Sequence, residues 1–242
     1  MNTAFVQEQY DLSYGDGIEG YWWHLARNRI ILDEIRKFTL AMPAVLDVGC
    51  GRGIAVKYLR DHGVSCAGVE LASTNPLPGI GEHIRYGTNA IDLPAHERAS
   101  YNTILLLDVI EHLPDPASFI AGLVDAFPRL NRLVVTVPTC PELWSNYDEV
   151  FGHYRRYTAS TLREFAESLH LGPLHQSYFF HALYVPARLL AALKKNRSTR
   201  VQPPQGWRKP LHRLFGAAMW LDYKIMPARV PGMSAIATLR AR

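Results

Sequence analysis

Short unbroken apolar runs alternate along this chain with longer stretches in which apolar residues return every three or four positions. "AVLDVG" (44–49), "VSCAGVEL" (64–71), "YNTILLLDV" (101–109) and "RLVVTVP" (132–138) are runs of strand length, bounded by Gly, Pro or Asn. Runs of this kind read as strands buried on both faces. "HIRYG" (83–87) is a weaker strand. The helical stretches are "YWWHLARNRIILDEIRKF" (21–38), "IAVKYLRDHG" (54–63), "PASFIAGLVDAF" (116–127) and "TASTLREFAESLHLG" (158–172). Gly63 closes the second of these, and Thr158 is the N-cap of the last. Strands and helices alternating at these lengths predict an α/β fold: a doubly wound, mostly parallel sheet covered on both faces.

Beyond Gly172 the alternation loosens. "LHQSYFF" (174–180) reads as a sixth strand and "ALYVPARLLAALKKN" (182–196) as an apolar helix with a basic end. A Pro-rich basic linker, "RSTRVQPPQGWRKP", leads to a helical "LHRLFGAAMWLDYKI", and "SAIATLRAR" (234–242) reads as a last strand. The expected organisation is a single domain, 1–242. It has an N-terminal cap helix in 1–42, a ligand-binding core in 43–172 and a helical basic insertion in 181–233.

Composition changes this picture in three ways. A chain of 242 residues, 48% hydrophobic, can bury a full core. Its three cysteines are scattered without metal-type spacing, which fits a reducing compartment, and no metal is expected. The start shows no basic stretch followed by an apolar run, and no apolar run approaches membrane-spanning length, so a cytoplasmic protein is expected. The net charge of +4 is uneven: no Asp or Glu occurs from Ser168 to Leu221, where eight Lys and Arg lie. The rest of the chain holds 18 basic against 22 acidic residues, a net of −4. The basic stretch 181–213 therefore suits peripheral contact with an anionic surface, such as the inner face of a membrane.

The candidate chemistry begins at "VLDVGCGRG". Gly49, Gly51 and Gly53 allow a sharp turn and a close approach of ligand to backbone. Seventeen residues after Gly53, Glu70 ends the second strand, where a carboxylate can accept both hydroxyls of a ribose. This points to a nucleoside. The dinucleotide pattern G-x-G-x-x-G is excluded because position 54 is Ile54, and no phosphate loop of the G-x-x-x-x-G-K-[ST] type occurs.

With "VLDVGCGRG", "GVEL", "NAIDLP" and "LLLDVIEHLPDP" in this order, the chain resembles the class I S-adenosylmethionine-dependent methyltransferases from Tyr21 to about Leu171. The resemblance implies a Rossmann-like seven-stranded sheet with an antiparallel last strand, and S-adenosyl-L-methionine as cofactor. It implies that Gly49, Cys50, Gly51 and Gly53 border the methionine part, with Asp47 beneath the loop. Glu70 would hold the ribose, Leu71 would touch the adenine, Asn89 and Ala90 would lie at its amino edge, and Asp108 would approach the methionine amine. "GYWWHLARNRIIL" is similar to the entry helix of a methyltransferase subgroup often encoded beside sugar- and lipid-modifying enzymes. There Trp22, Trp23 and Arg27 would cover the cofactor, with Arg27 on its carboxylate.

The same subgroup shows "EHLPDP" and "D…GHxRRYT" segments beside the acceptor. His112, and His153 in "DEVFGHYRRYT", are thus the candidate general bases, and Arg155, Arg156 and Tyr157 the candidate substrate contacts. The bland alternative for this segment is a structural salt bridge from Asp148 to an arginine. The expected function is methylation of a hydroxyl on a small-molecule, sugar or lipid-linked acceptor. An RNA methyltransferase and a non-catalytic S-adenosylmethionine- or S-adenosylhomocysteine-binding module are the alternatives. Nucleic acid is disfavoured because "LDVIEH" replaces the Asn/Asp-Pro-Pro-aromatic run of many base methylases and no RNA module is recognisable.

Overall fold

The computed structural model of the chain describes residues 14–38, 43–193, 196 and 198–241. Parts of the expected cap region, together with Lys194, Lys195 and Arg197 of the basic stretch, lie outside the described residues. Among the described residues seven strands form one sheet: β1 (Ala44–Val48), β2 (Ser65–Glu70), β3 (Ile84–Tyr86), β4 (Thr103–Leu107), β5 (Arg132–Pro138), β6 (Gly172–Phe179) and β7 (Ser234–Arg240). Their order is β3-β2-β1-β4-β5-β7-β6, and β7 runs in the direction opposite to the other six. This is the expected Rossmann-like sheet. The helices are α1 (Trp22–Phe38), α2 (Ile54–Asp61), α3 (Ala95–Arg98), α4 (Pro116–Ala126), α5 (Asn146–Val150), α6 (Ala159–Ser168), α7 (Tyr184–Ala192) and α8 (Arg208–Ile225).

The apolar runs become central strands because both of their faces are covered. In β4, Ile104 and Leu106 enter the core on one side of the sheet, and Leu105 and Leu107 the core on the other. β5 divides the same way, with Leu133 and Val135 opposed to Val134. Thr158 caps α6 by accepting from Thr161 N at 3.1 Å, as its sequence position predicts. α8 starts one turn before the expected Leu211, because Pro210 occupies the third helical position, where its missing N–H costs nothing.

The stretch expected as an insertion is packed against the N-terminal helix. Gly216 of α8 lies so close to α1 that an added Cβ would meet Trp22 O at 3.0 Å and Leu25 Cβ at 3.1 Å. Trp220 Nε1 donates to Asp33 at 2.8 Å, and the Arg29 guanidinium stacks 3.4 Å from the Trp220 ring centre. Buried Glu34 accepts from Tyr223 of α8, Thr238 of β7 and His175 of β6, at 2.7, 2.9 and 2.9 Å. Burial alone would raise its pKa, but these three donors hold it below the ordinary value. α1 is thereby tied to both late strands.

Strand order reverses between β1 and β4. In a doubly wound sheet the crevice for a ligand opens there, beyond the carboxyl ends of the strands. Asp47, Glu70 and Asp108 all stand at that edge.

Candidate active site

One cavity of about 800 Å³ occupies this edge, within the usual range for small-molecule sites. Its first wall is the loop after β1. Gly49 N and Cys50 N donate to Val69 O at 2.9 and 3.3 Å, which ties the loop to the end of β2. Gly51 N donates to Glu70 Oε2 at 2.8 Å and Ala72 N to Glu70 Oε1 at 2.9 Å. The Glu70 carboxylate is thus fixed by backbone, and each oxygen keeps a second lone pair for a ligand hydroxyl. Gly49, Gly51 and Gly53 have φ of 78°, 55° and 80°, a region that only glycine enters without strain.

The three glycines have different surroundings. Gly49 and Gly51 line the cavity. Gly53 does not: a Cβ there would sit 2.3 Å from Ile84 Cδ1 and 2.5 Å from Ile80 Cδ1, so this glycine serves packing beneath α2. Leu71, Asn89 and Ala90 line the far side, with Asn89 Oδ1 accepting from Ile91 N at 3.4 Å.

Deeper in, Asp47 is buried, and its Oδ1 has no hydrogen-bond partner among the described residues. Burial pushes its carboxyl up to about 7, with the Arg27 charge opposing. Arg27, lying 4.3 Å over the Trp23 ring, forms an ion pair with Asp108. The sequence expectation sends these two side chains to opposite charges of a methionine group. Here they satisfy each other, as opposite charges in a poorly solvated wall do. Among the described residues Arg27 Nε has no hydrogen-bond partner.

The opposite end is built from the turns after β4 and β5. Asp148, fully buried, accepts from His153 Nδ1 at 2.8 Å and from Arg156 Nε and Nη2 at 2.7 and 3.1 Å. It also accepts from Ser145 N at 2.9 Å, closing the cap of α5. Burial would raise its pKa, but the hydrogen bonds from His153 and Arg156 outweigh burial and hold it at about 2. The His153 and His112 rings meet edge to face, with centres 4.7 Å apart. Burial, and then the neighbouring His153, lower the His112 pKa to about 3. Beside them Glu111 is buried, and among the described residues neither carboxylate oxygen has a hydrogen-bond partner; burial and the charge of Asp108 raise its pKa.

Of the expected substrate contacts, Arg156 lines the cavity, its guanidinium held by Asp148 and Thr139 O. Arg155 lies outside and donates to Leu113 O and Pro114 O at 3.0 and 2.8 Å. Tyr157 is buried away from the cavity, its hydroxyl donating to Ile110 O at 3.4 Å. Trp22, Arg27, Cys50, Asp108, His112 and His153 all face the cavity.

Sequence reasoning missed the remaining wall. Tyr14, Phe180, Leu183, Arg200, Val201 and His212 line it too, the last accepting a hydrogen bond from Trp22 N at 3.2 Å. The Pro-rich linker carries no periodic signal. Only its aromatic and basic residues hint at contact with a ligand.

The glycine cradle, the fixed carboxylate at the end of β2 and the unpartnered Oδ1 of Asp47 suit a nucleoside bearing a cationic tail. A family model described as a methyltransferase domain matches residues 22–175. The ubiquinone biosynthesis O-methyltransferase of Xylella fastidiosa (strain 9a5c) is 33% identical over 157 residues, covering 56% of this chain and 64% of that one. The protein of the same description from Hahella chejuensis is 32% identical over 117 residues, covering 42% and 49%. The match thus spans about half to two thirds of these relatives' length.

Among solved structures, magnesium protoporphyrin IX methyltransferase from Synechocystis PCC 6803 with bound S-adenosylhomocysteine superposes with a TM-score of 0.56 at 13% identity. That match covers 96% of this chain and 92% of that one. A Burkholderia thailandensis 1,6-didemethyltoxoflavin-N1-methyltransferase superposes with a TM-score of 0.52 at 18% identity, covering 90% and 80%. These two likenesses concern the fold.

Proposed function

Because the chain belongs to the methyltransferase-domain family, we propose that it transfers a methyl group from S-adenosyl-L-methionine to a hydroxyl of a small-molecule or lipid-linked acceptor. The observation that carries the proposal is the two-ended cavity. A nucleoside-type cradle lies at the ends of β1 and β2, and a polar histidine cluster lies at the ends of β4 and β5. The names of the Xylella and Hahella relatives agree with an oxygen acceptor.

When bound, the cofactor supplies an electrophilic methyl group on a sulfonium sulfur. The chain does the rest by placement. Glu70 holds the ribose hydroxyls, Leu71, Asn89 and Ala90 bracket the base, and Gly49 and Gly51 let the tail lie against the backbone. Asp47, Arg27 and Asp108 supply the charges that receive the amino-acid end. Trp22, Trp23 and the segment around Val201 exclude water, which strengthens those contacts. His153, aimed by Asp148, engages the acceptor hydroxyl beside His112, where its proton is removed. Arg156 shapes that wall through Asp148.

Calorimetry with S-adenosylhomocysteine tests the cradle: wild type binds it, and Glu70→Ala loses at least tenfold in affinity. Methyl-labelled cofactor incubated with protein and extract fractions tests the transfer. Label on nitrogen or RNA, or cofactor binding without transfer to any fraction, refutes the O-methylation reading.

A lipid-linked acceptor is favoured by one further feature. Val185, Leu189 and Leu193 along α7, and Trp207, Leu211 and Leu214 around α8, are 51–73% exposed, beside exposed Arg188, Lys209 and Arg213. Among the described residues no helix is long and apolar enough to cross a membrane. Apolar residues edged by basic ones suit the surface of an anionic bilayer. Co-sedimentation with phosphatidylglycerol-containing vesicles falls at least fivefold in Leu189→Glu/Leu211→Glu. Equal pelleting of both proteins refutes the membrane contact.

A further inference from the structure

The histidine cluster contains a feature that hydroxyl binding alone leaves unexplained. Glu111 is 1% exposed, and among the described residues neither of its oxygens has a hydrogen-bond partner. A carboxylate buried in this way is costly unless something positive meets it. Arg27 and Arg156 stand near enough to favour its charged form, but neither donates to it. Two imidazoles stand close to it. One ligand atom each from Glu111, His112 and His153 lie within 4.8 Å of one another.

Both histidines are already oriented from behind. His153 Nδ1 is bound to Asp148 at 2.8 Å, which leaves Nε2 as the nitrogen facing the cluster. His112 is held by the backbone of Phe151 and Gly152. A histidine with one nitrogen fixed by a carboxylate or carbonyl is the arrangement that presents the other nitrogen to a metal. The two loops that carry these groups are pinned together by Tyr154 N donating to Glu111 O at 2.7 Å.

We propose that Glu111, His112 and His153 bind one divalent transition-metal ion at the acceptor end of the cavity. The inference rests on the reading of that end as the place of the acceptor hydroxyl. Two imidazoles and one carboxylate suit Zn²⁺, Fe²⁺ or Mn²⁺ and disfavour Mg²⁺ and Ca²⁺, which want oxygen ligands. Metal–ligand bonds of about 2.0–2.2 Å set ligand atoms roughly 3.4 Å apart in a tetrahedral site. The three ligand atoms, within 4.8 Å of one another, would draw together on the ion when it binds.

Three side chains leave a position open for the acceptor oxygen. Bound there, a hydroxyl loses its proton to solvent more readily. The oxygen lone pair then forms the bond to the methyl carbon as the carbon–sulfur bond breaks and its electron pair stays on sulfur. His153 meets the acceptor through the ion, and Asp148 is a positioning residue behind it.

The test uses full-length protein stripped with a chelator, dialysed against Zn²⁺, Mn²⁺ or Mg²⁺ and assayed for metal per chain by mass spectrometry. Wild type is expected to retain about one Zn²⁺ and no Mg²⁺. With Co²⁺ it should show visible ligand-field absorption. Glu111→Gln and His153→Gln each lose at least tenfold in Zn²⁺ affinity, and Asp148→Asn loses about ten- to a hundredfold. His112→Gln serves as an independent variant if one of these fails to fold by circular dichroism. Wild type holding no more Zn²⁺ or Mn²⁺ than Glu111→Gln/His153→Gln overturns the proposal. S-adenosylhomocysteine calorimetry on the same stripped wild type separates the two readings. Cofactor binding without metal sinks this proposal alone, and metal without cofactor binding sinks the methyl-transfer reading alone.

Discussion

Asp148 is the side chain on which the acceptor end hangs, and its removal has a calculable cost. Replacing it by Ala leaves the Arg156 guanidinium, 3% exposed, without its counter-charge and releases His153 Nδ1 and Ser145 N. The ionised carboxyl sits at about 2 in the fold, against an ordinary 3.8. At 1.36 kcal/mol per pH unit that difference amounts to about 2.5 kcal/mol. Breaking a buried pair by deleting one partner costs about 3–5 kcal/mol, because the stranded charge adds to the loss. The expected loss for Asp148→Ala is therefore about 3–5 kcal/mol. In a chain of this size each kcal/mol moves the melting temperature by about 2–4 °C, so a drop of roughly 6–20 °C is expected.

Urea unfolding at pH 7 reads the loss directly. Asp148→Leu/Arg156→Met should cost less than the sum of its single substitutions by more than about 1 kcal/mol, since it strands no charge. The gap between wild type and Asp148→Ala is fully present above about pH 4. It shrinks as the pH falls toward 2, where the native carboxylate takes up its proton. A loss under about 1 kcal/mol, or additive single substitutions, would refute the reasoning.

Two further predictions separate residues that look alike in sequence. Gly53→Ala forces a Cβ into Ile80 and Ile84 at a φ of +80° and should cost about 2–4 kcal/mol, whereas Gly51→Ala meets only Tyr14 at 3.6 Å. The second change should cost about 1 kcal/mol in thermal melts yet weaken S-adenosylhomocysteine binding more than the first. Asp47, raised by burial to about 7, favours the fold of the cofactor-free protein most below pH 4 and loses that contribution as pH rises through 7. Melting temperatures of Asp47→Asn should accordingly gain on wild type between pH 4 and 8; a constant difference would show the carboxyl is not perturbed.

The sheet was legible because its strands are buried on both faces. "TILLL" and "LVVTV" can hardly be anything else once glycine and proline bound them. The cofactor side was legible for a related reason: backbone conformation at Gly49 and Gly51, and the acid ending β2, are demanded locally. What the sequence hid is set by tertiary contact. That Gly53 faces Ile80 and Ile84 rather than ligand depends on how α2 sits over β3, which no spacing reveals. In "DEVFGHYRRYT", Asp148 gathers His153 and Arg156 while Arg155 turns to the Leu113–Pro114 backbone. Two adjacent arginines with opposite duties cannot be told apart before the turn is seen. Arg200, Val201 and His212 join the cavity only because α8 lies against α1.

The place of β7 bears on how the protein comes into being. It is the last strand in the chain but lies between β5 and β6, bonded to both. Until β7 has been made, β6 has no sheet to join, and β5 presents a bare edge of unpaired N–H and C=O groups. α8, which precedes β7, docks on α1 from the opposite end of the sequence. The nascent chain must therefore keep an adhesive border out of contact with its neighbours from the completion of β5 at Pro138 until β7 arrives at Ser234. Expression at lower temperature, or with a holding chaperone, should raise the yield of folded protein more than any change within β1 to β4.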